Sequence, residues 1–308
     1  NIDFLIICDK NEIRAKEIAE INELPYSTNI EDIANNDKVD AVVISTPSSS
    51  HYKISKFFLE HKKHVFVEKP MTLISENAKN LIDIAEQNKK VLMVGHLFRY
   101  HPLVRDIKRR IDIGEFGKIE MILTYRFALG VPRKDMGVIL ALAVHDLDLT
   151  CHLLNQEVPV SILVDTGRFH QEEVIEMANI SLDFKNGAKG YMMESWNIPV
   201  YNKKRELIII GSEKSAKIDY LNPSEYEIFD TRIKKNYIDD KIILEKEDNE
   251  ILKITIEYKE PLREEILQFL DAVKNNKKPE TDGLVGYNAV KMCEKAFLSA
   301  KNNKREFF

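Results

Sequence analysis

The chain has 308 residues, a formal net charge of −5, 31% charged residues and 44% hydrophobic residues. That length can carry two domains with separate cores, and the mild acidity leaves no basic footprint for nucleic acid. Three cysteines far apart (Cys8, Cys151 and Cys293) argue against a disulfide framework and a thiol metal site and fit a reducing cytoplasm; no apolar run reaches the ~20 residues of a membrane span.

The opening NIDFLIICDK reads as an apolar strand ending in Asp9, followed by the helical spacing of EIRAKEIAEI. AVVIST is a second strand, HYKISKFFLEH an amphipathic helix, HVFVEK a third strand, ENAKNLIDIAEQN a helix and VLMVGH a fourth strand. Strands separated by helices pair in parallel, which predicts a doubly wound α/β sheet over residues 1–101. Ligands of such sheets bind beyond the carboxyl ends of the strands. Four polar clusters follow those ends: Asp9 with Lys10, Thr46 and Pro47 with His51, Glu68, Lys69 and Pro70, and finally His96.

After Pro102 the texture changes. PLVRDIKRRIDIG reads as a helix closed by Gly114, KIEMILTYRFAL as a strand and GVILALAVHDLDLTCHLL as one long apolar helix. Strands then dominate: VSILVDTGRF, EMANISLDF, AKGYMMESWNI, RELIIIGS, SAKIDYL and YEIFD. The NG of FKNGAKG is a hairpin signal. Residues 233–260, rich in lysine and acids, read as strands joined by solvated turns. EEILQFLDAVKN and LVGYNAVKMCEKAFLSAKN are closing helices. Residues 102–308 are therefore predicted as an α+β domain with a mostly antiparallel sheet.

Several polar residues stand out. Lys69 ends a strand before a proline; it reads either as a surface-turn lysine or as a donor over the sheet edge. GHLFRYHP joins the two domains and offers His96, Arg99, Tyr100 and His101. Arg99 suits an anionic substrate, or else a solvated hinge. HDLD interrupts an apolar helix with His145, Asp146 and Asp148, and buried polar groups need partners. His145 is either a satisfied core histidine or a general base, since imidazole titrates near working pH.

The ordered set ICDKN, STPSSSH, VEKPM, VGHLFRYHP and VHDLDL resembles the Gfo/Idh/MocA family of nicotinamide-dependent oxidoreductases over nearly the whole chain. The resemblance implies a Rossmann-like first domain and an open, mostly antiparallel sheet in the second, used for homodimers or homotetramers. It implies an NAD-dependent dehydrogenase acting on a sugar hydroxyl, with Lys69 beside the nicotinamide ribose and His145 acting on the reacting hydroxyl. Asp9 on the adenosine ribose favours NAD over NADP, and Lys10 weakens that preference. Asp9, Lys10, Thr46, Pro47, His51, Glu68, Lys69, Pro70 and His96 are the expected cofactor residues.

Within the family, the segments around Arg99, Arg126 and Arg133 look like the branch that oxidises nucleotide-linked amino sugars at C3. Arg99, Tyr100, Arg126, Arg133 and Asp148 are then expected at the substrate, with Lys134 adding charge; a solvated loop is the other reading of Arg126, Arg133 and Lys134. A free polyol or simple sugar such as inositol, or a binding protein that kept the fold without the chemistry, are the alternatives. No metal is expected. Two departures stand out. The family opens with a strand and a GxGxxG-type turn, and the first glycine here is Gly95, so a first strand is expected to lie outside this sequence; without it two neighbouring strands would keep unpaired edges. The family also carries an Asp four residues before the helix histidine, where this chain has Ala141.

Overall fold

The computed structural model describes residues 2–133, 136–200, 202–238 and 241–308. The chain divides into two compact units, residues 1–95 with 267–287, and residues 96–266 with 288–308.

The first unit alternates strand and helix: β1 (Ile7–Cys8), α1 (Glu12–Ile21), β2 (Tyr26–Ser27), α2 (Ile30–Ala34), β3 (Ala41–Ile44), α3 (Ser48–Glu60), β4 (His64–Glu68), α4 (Ser75–Gln87) and β5 (Leu92–Gly95). Side chains of Asn11 and Asn29 accept amide hydrogen bonds at the starts of α1 and α2, satisfying donors that a helix N-terminus leaves orphaned. All strand pairs are parallel, as expected. They form two ladders, β1–β2 and β3–β4–β5. Val65, Phe66 and Val67 of the central β4 are at most 1% exposed, the burial of a strand covered on both faces. Both ladders share one core, in which Phe4, Ile6 and Val42 pack against Val65, Val67, Leu59 and Leu81.

The sequence division after residue 101 did not contain the return of residues 267–287. Their attachment is physical: the Val94 amide donates to the Thr281 carbonyl at 2.8 Å, and the Phe269 ring lies 5.7 Å from that of Phe66. Gly286 approaches so closely that a Cβ would stand 2.6 Å from a Val94 methyl.

The second unit opens with a 3-10 turn, Leu97–Tyr100, and α5 (Pro102–Asp112). Pro102 sits at the first helical position, and Gly114 beyond the end takes a φ of 82°, the usual asymmetry of helix ends. A nine-stranded sheet follows: β6 (Ile119–Ala128), β7 (Ser161–Gly167), β8 (Met177–Asp183), β9 (Lys189–Ser195), β10 (Lys203–Gly211), β11 (Ser215–Asp219), β12 (Glu225–Ile238), β13 (Lys241–Thr255) and β14 (Glu306–Phe307). The spatial order is β13-β12-β11-β10-β6-β9-β8-β7-β14, and only β6–β9 is parallel. Asn186 and Gly187 make the β8–β9 turn, with Gly187 at φ 86°. Residues 233–260 form the greater part of one long hairpin, β12–β13, rather than several strands.

Alternation puts Ile122, Ile162, Val164, Ile180, Leu182, Met192, Leu207 and Ile209 on the covered face. That face packs on α6 (Val144–Leu153) and on Ala289, Met292, Cys293 and Ala296 of α8 (Gly283–Asn302); the remaining helix is α7 (Pro261–Asn275). The other face carries Tyr125, Leu163, Tyr191 and Met193 around a shallow hollow of about 300 Å³. The long helix expected from residue 137 departs from α geometry: Ile139–Ala143 is a π-helical turn, closed by the Val144 amide on the Ile139 carbonyl. ILALAV is apolar on every side, so its pattern cannot report one inserted residue. The expectation of one continuous α-helix from Gly137 is therefore corrected.

Candidate active site

In the first unit, Asp9 stands at the tip of β1. Its amide donates to Ser27, its carboxylate accepts from the Asn11 amide at 2.9 Å, and Arg14 lies 3.7 Å away. The side chain keeps 30% of its exposure, so its oxygens can still accept hydroxyl hydrogen bonds. Lys10, Thr46 and Pro47 are exposed. The Ser50 hydroxyl donates to Thr46 Oγ1 at 2.8 Å and reaches the Pro47 carbonyl at 2.7 Å.

His51, on α3, is 1% exposed. Its Nε2 lies 2.7 Å from the Thr46 carbonyl and its Nδ1 2.8 Å from that of Pro70. One ring thus ties the loop after β3 to the loop after β4. With both nitrogens on main-chain oxygens, His51 shapes the two loops; it does not present an open ring to a ligand. Glu68 accepts from the Lys69 amide at 3.2 Å and packs on Gly95. Burial pushes its carboxyl pKa up, against Lys69 and His51. Lys69 is half-buried and joins the buried Pro70 by a cis bond.

In the second unit the residues expected at a substrate make pairs with one another. Asp148 receives Arg99 through Nε at 2.9 Å and a terminal nitrogen at 2.5 Å, and His96 Nδ1 stands 3.4 Å away. Burial opposes the charge on Asp148, yet Arg99 and His96 hold its pKa below the usual carboxylate value. Tyr100 is fully buried, with the Arg105 guanidinium 4.9 Å over its ring. Arg126 is neither a free phosphate ligand nor a solvated loop residue, the two roles its sequence allows. It is a buried strand residue, bound by both Asp146 oxygens at 2.8 Å, with the two side chains 4% and 1% exposed. The register explains this: Ile122, Thr124 and Arg126 share the inward phase of β6. The solvated-hinge reading of Arg99 is likewise corrected by its bidentate pair. Arg133 is exposed, and its carbonyl accepts from Gln171 at 3.4 Å. Lys134 lies outside the described residues.

His145 occupies the first turn of α6, between buried Val144 and buried Asp146, and keeps partial exposure. Phe98 meets it edge-on, with centroids 5.0 Å apart and planes at 75°. An imidazole held this way can take or give a proton. Sequence reasoning missed Phe98, Glu194 and Tyr220. Glu194 had a signal: with Gly190 and Met192 it falls on the inward phase of β9, where a carboxyl has no ordinary reason to be. No group of three or more His, Cys, Asp or Glu among the described residues could hold a metal ion.

Comparison with known proteins adds an independent line. A sequence model described as "Oxidoreductase family, NAD-binding Rossmann fold" matches residues 2–96, and its companion "Oxidoreductase family, C-terminal alpha/beta domain" matches residues 108–306. The chain is 30% identical over 217 residues to a UDP-N-acetylglucosamine 3-dehydrogenase of Acidithiobacillus ferrooxidans, covering 70% of this chain and 66% of that protein. It is 28% identical to a scyllo-inositol 2-dehydrogenase (NAD(+)) of Bacillus subtilis, over 71% of this chain and 67% of that one. The solved structure of the Acidithiobacillus enzyme superposes with a TM-score of 0.82 at 25% identity, covering 96% of this chain and 89% of that chain.

Proposed function

Because this chain belongs to the Gfo/Idh/MocA oxidoreductase family, we propose that it is a dehydrogenase that oxidises a sugar or polyol hydroxyl with NAD. The observation that carries the reading is His145: a partly exposed imidazole at the start of a helix, braced by buried partners, within a domain that matches the family. The first unit suits the cofactor. Asp9 offers carboxylate oxygens to a ribose and repels a 2′-phosphate, which makes NADP the poorer fit. Lys10, Thr46 and Pro47 line exposed loops beyond the strand ends, while His51, Glu68 and Pro70 shape them. Bound there, NAD supplies the two-electron oxidant. His145 accepts the hydroxyl proton at a ring nitrogen. Lys69 donates to the developing alkoxide and to the cofactor ribose. His96 acts through Asp148.

For the substrate we propose a nucleotide-linked amino sugar such as UDP-N-acetylglucosamine, oxidised at C3. The likeness to the Acidithiobacillus enzyme supports it, and exposed Arg133 is a cation a diphosphate would meet. A second reading, an inositol or simple sugar, draws support from the pairing of Arg99 and Arg126 with carboxylates, which leaves both poorly suited to phosphate. Absorbance at the NADH wavelength tests both, using UDP-N-acetylglucosamine, scyllo-inositol and myo-inositol in turn. Turnover of the UDP sugar, with KM raised at least ~10-fold in Arg133→Ala as for one lost charged contact, supports the first. Turnover of an inositol alone supports the second, and turnover of none defeats the dehydrogenase reading. No helix among the described residues is long and apolar enough to cross a membrane. The free cysteines suit a reducing compartment, the cytoplasm. The apolar hollow on the open sheet face suits a second copy of this chain, in a homodimer or homotetramer. Light scattering on the eluting protein checks this, and a monomer mass at micromolar concentration would refute it.

A further inference from the structure

We propose that Arg126, Asp146 and Phe98 are a positioning device for His145, with Glu194 packed beside them as its fourth member; the inference rests on the reading of His145 as proton acceptor.

The need for such a device comes from the helix itself. The π-helical turn Ile139–Ala143 runs directly into α6, so regular α bonding from the N-terminal side does not fix the helix phase at His145. The next residue fixes it. Asp146 is bound by two nitrogens of Arg126, and a bidentate fork admits one orientation. Arg126 in turn stands on the central β6, between β10 and β9. The rotation of α6 is thus referred to a strand paired on both sides within the sheet.

The same guanidinium holds a second contact in place. Its carbon lies 4.1 Å from the Phe98 ring centroid. Phe98 is also met by Tyr220 at 4.9 Å and 69°, and it presents itself to His145 at 5.0 Å. Arg126 therefore reaches His145 by two routes, through the helix backbone at Asp146 and through the Phe98 ring. A cation stacked on a partly buried ring and an edge-to-face aromatic pair are both directional contacts.

Glu194 explains why the fork stays intact. It pairs in register with Arg126, and Arg205 flanks Arg126 on the other side. It is fully buried, and Asp146 bears on it through a side-chain hydrogen bond as well as through its charge. The charged groups that bear on it are Asp146 of α6, Arg126 of β6 and Arg205 of β10. Burial and Asp146 push its pKa well up, and the two arginines do not overcome them. An ionised Glu194 would compete with Asp146 for Arg126; a carboxyl held toward its neutral form competes less, and the fork stays whole.

The test reads His145 directly. Full-length protein carrying 13C-histidine is titrated by NMR, the His145 signal being assigned by its loss in His145→Gln. Steady-state kinetics run alongside with the substrate that is turned over. Arg126→Lys keeps the charge and loses the fork and the flat face. It is expected to move the His145 midpoint by at least ~0.5 pH and to lower kcat ~10-fold or more, with KM changed less than about twofold. Phe98→Leu spares the ion pair and is expected to move the midpoint too. Glu194→Gln preserves the neutral form and is expected to leave the midpoint in place. An unmoved midpoint in folded Arg126→Lys overturns the proposal, and should that variant not fold, an unmoved midpoint in Phe98→Leu does so. A moved midpoint in Glu194→Gln removes Glu194 from the device. Full turnover in His145→Gln would end the proton-acceptor reading while leaving the NMR outcome to decide the geometry.

Discussion

Removing the Asp146 carboxylate, as in Asp146→Asn, breaks the fork and leaves the buried Arg126 guanidinium only Glu194 as a neighbouring acid. Breaking a buried pair on one side costs about 3–5 kcal/mol, so chemical denaturation should show a loss of that order. His145→Ala touches the proposed chemistry instead. Turnover should fall at least ~100-fold, the usual share of a positioned acid–base group, with NAD binding retained in a calorimetric titration. At this scale the sequence was partly legible. HDLD in an apolar helix announced polar residues that need partners. Which partners they take was not legible. Arg126 and Asp146 are 20 residues apart, Arg99 and Asp148 49 apart, and only the register of β6 and the turn before α5 bring them together. Arginines counted as free cations in the sequence were already committed to carboxylates.

Elements with strong periodicity or a turn signal could be read ahead of the structure. The β8–β9 hairpin announced itself through Asn186 and Gly187, and the parallel strands of the first unit through their continuous apolar runs. Two-residue strands such as β2 and β14 and the five-residue α2 offer too few positions for a period to show. Two glycines separate conformational cost from steric cost. At Gly187, φ is 86° and a Cβ would meet nothing nearer than the Lys118 ammonium at 3.7 Å, so Gly187→Ala should cost about 1 kcal/mol from backbone conformation alone. At Gly211, beside the irregularity in the β10–β6 register, a Cβ would collide with the Phe116 carbonyl oxygen. Gly211→Ala should therefore cost more, ~3 kcal/mol, because the backbone itself must move. Urea midpoints of the two variants, compared side by side, check the order; equal shifts would refute it.

For the molecule as a whole, acid is the direction of weakness. Burial lowers the pKa of His64, His101 and His152 to about 4 each, with Lys90 adding to the effect at His64 and Arg99 at His152. The unfolded chain binds protons at these sites near pH ~6.5, so between there and 4 it holds more protons than the folded one. Stability is then fully present above pH ~6.5 and is lost as pH falls toward 4. Solvent screening trims the share of half-exposed His64. Asp148, held low by Arg99, adds a further loss at still lower pH. Melting temperatures should fall through pH 6 and 5, because three histidines lose stability there and outnumber the two buried carboxyls, Glu68 and Glu194, whose raised pKa acts in the opposite direction. A flat profile to pH 4 would contradict the buried neutral histidines.

The return of residues 267–287 to the first unit bears on the order in which the protein can be made. Synthesis proceeds from the N-terminus, and domains generally fold as units as they emerge. The first ninety-five residues leave the ribosome long before Phe269, Thr281 and Gly286 exist. During that interval Phe66 and Val94 lack the partners that cover them in the finished protein. The nascent first unit must wait with part of its hydrophobic surface open while strands β6 to β13 are translated. It is during this wait that the growing chain has most to gain from a chaperone.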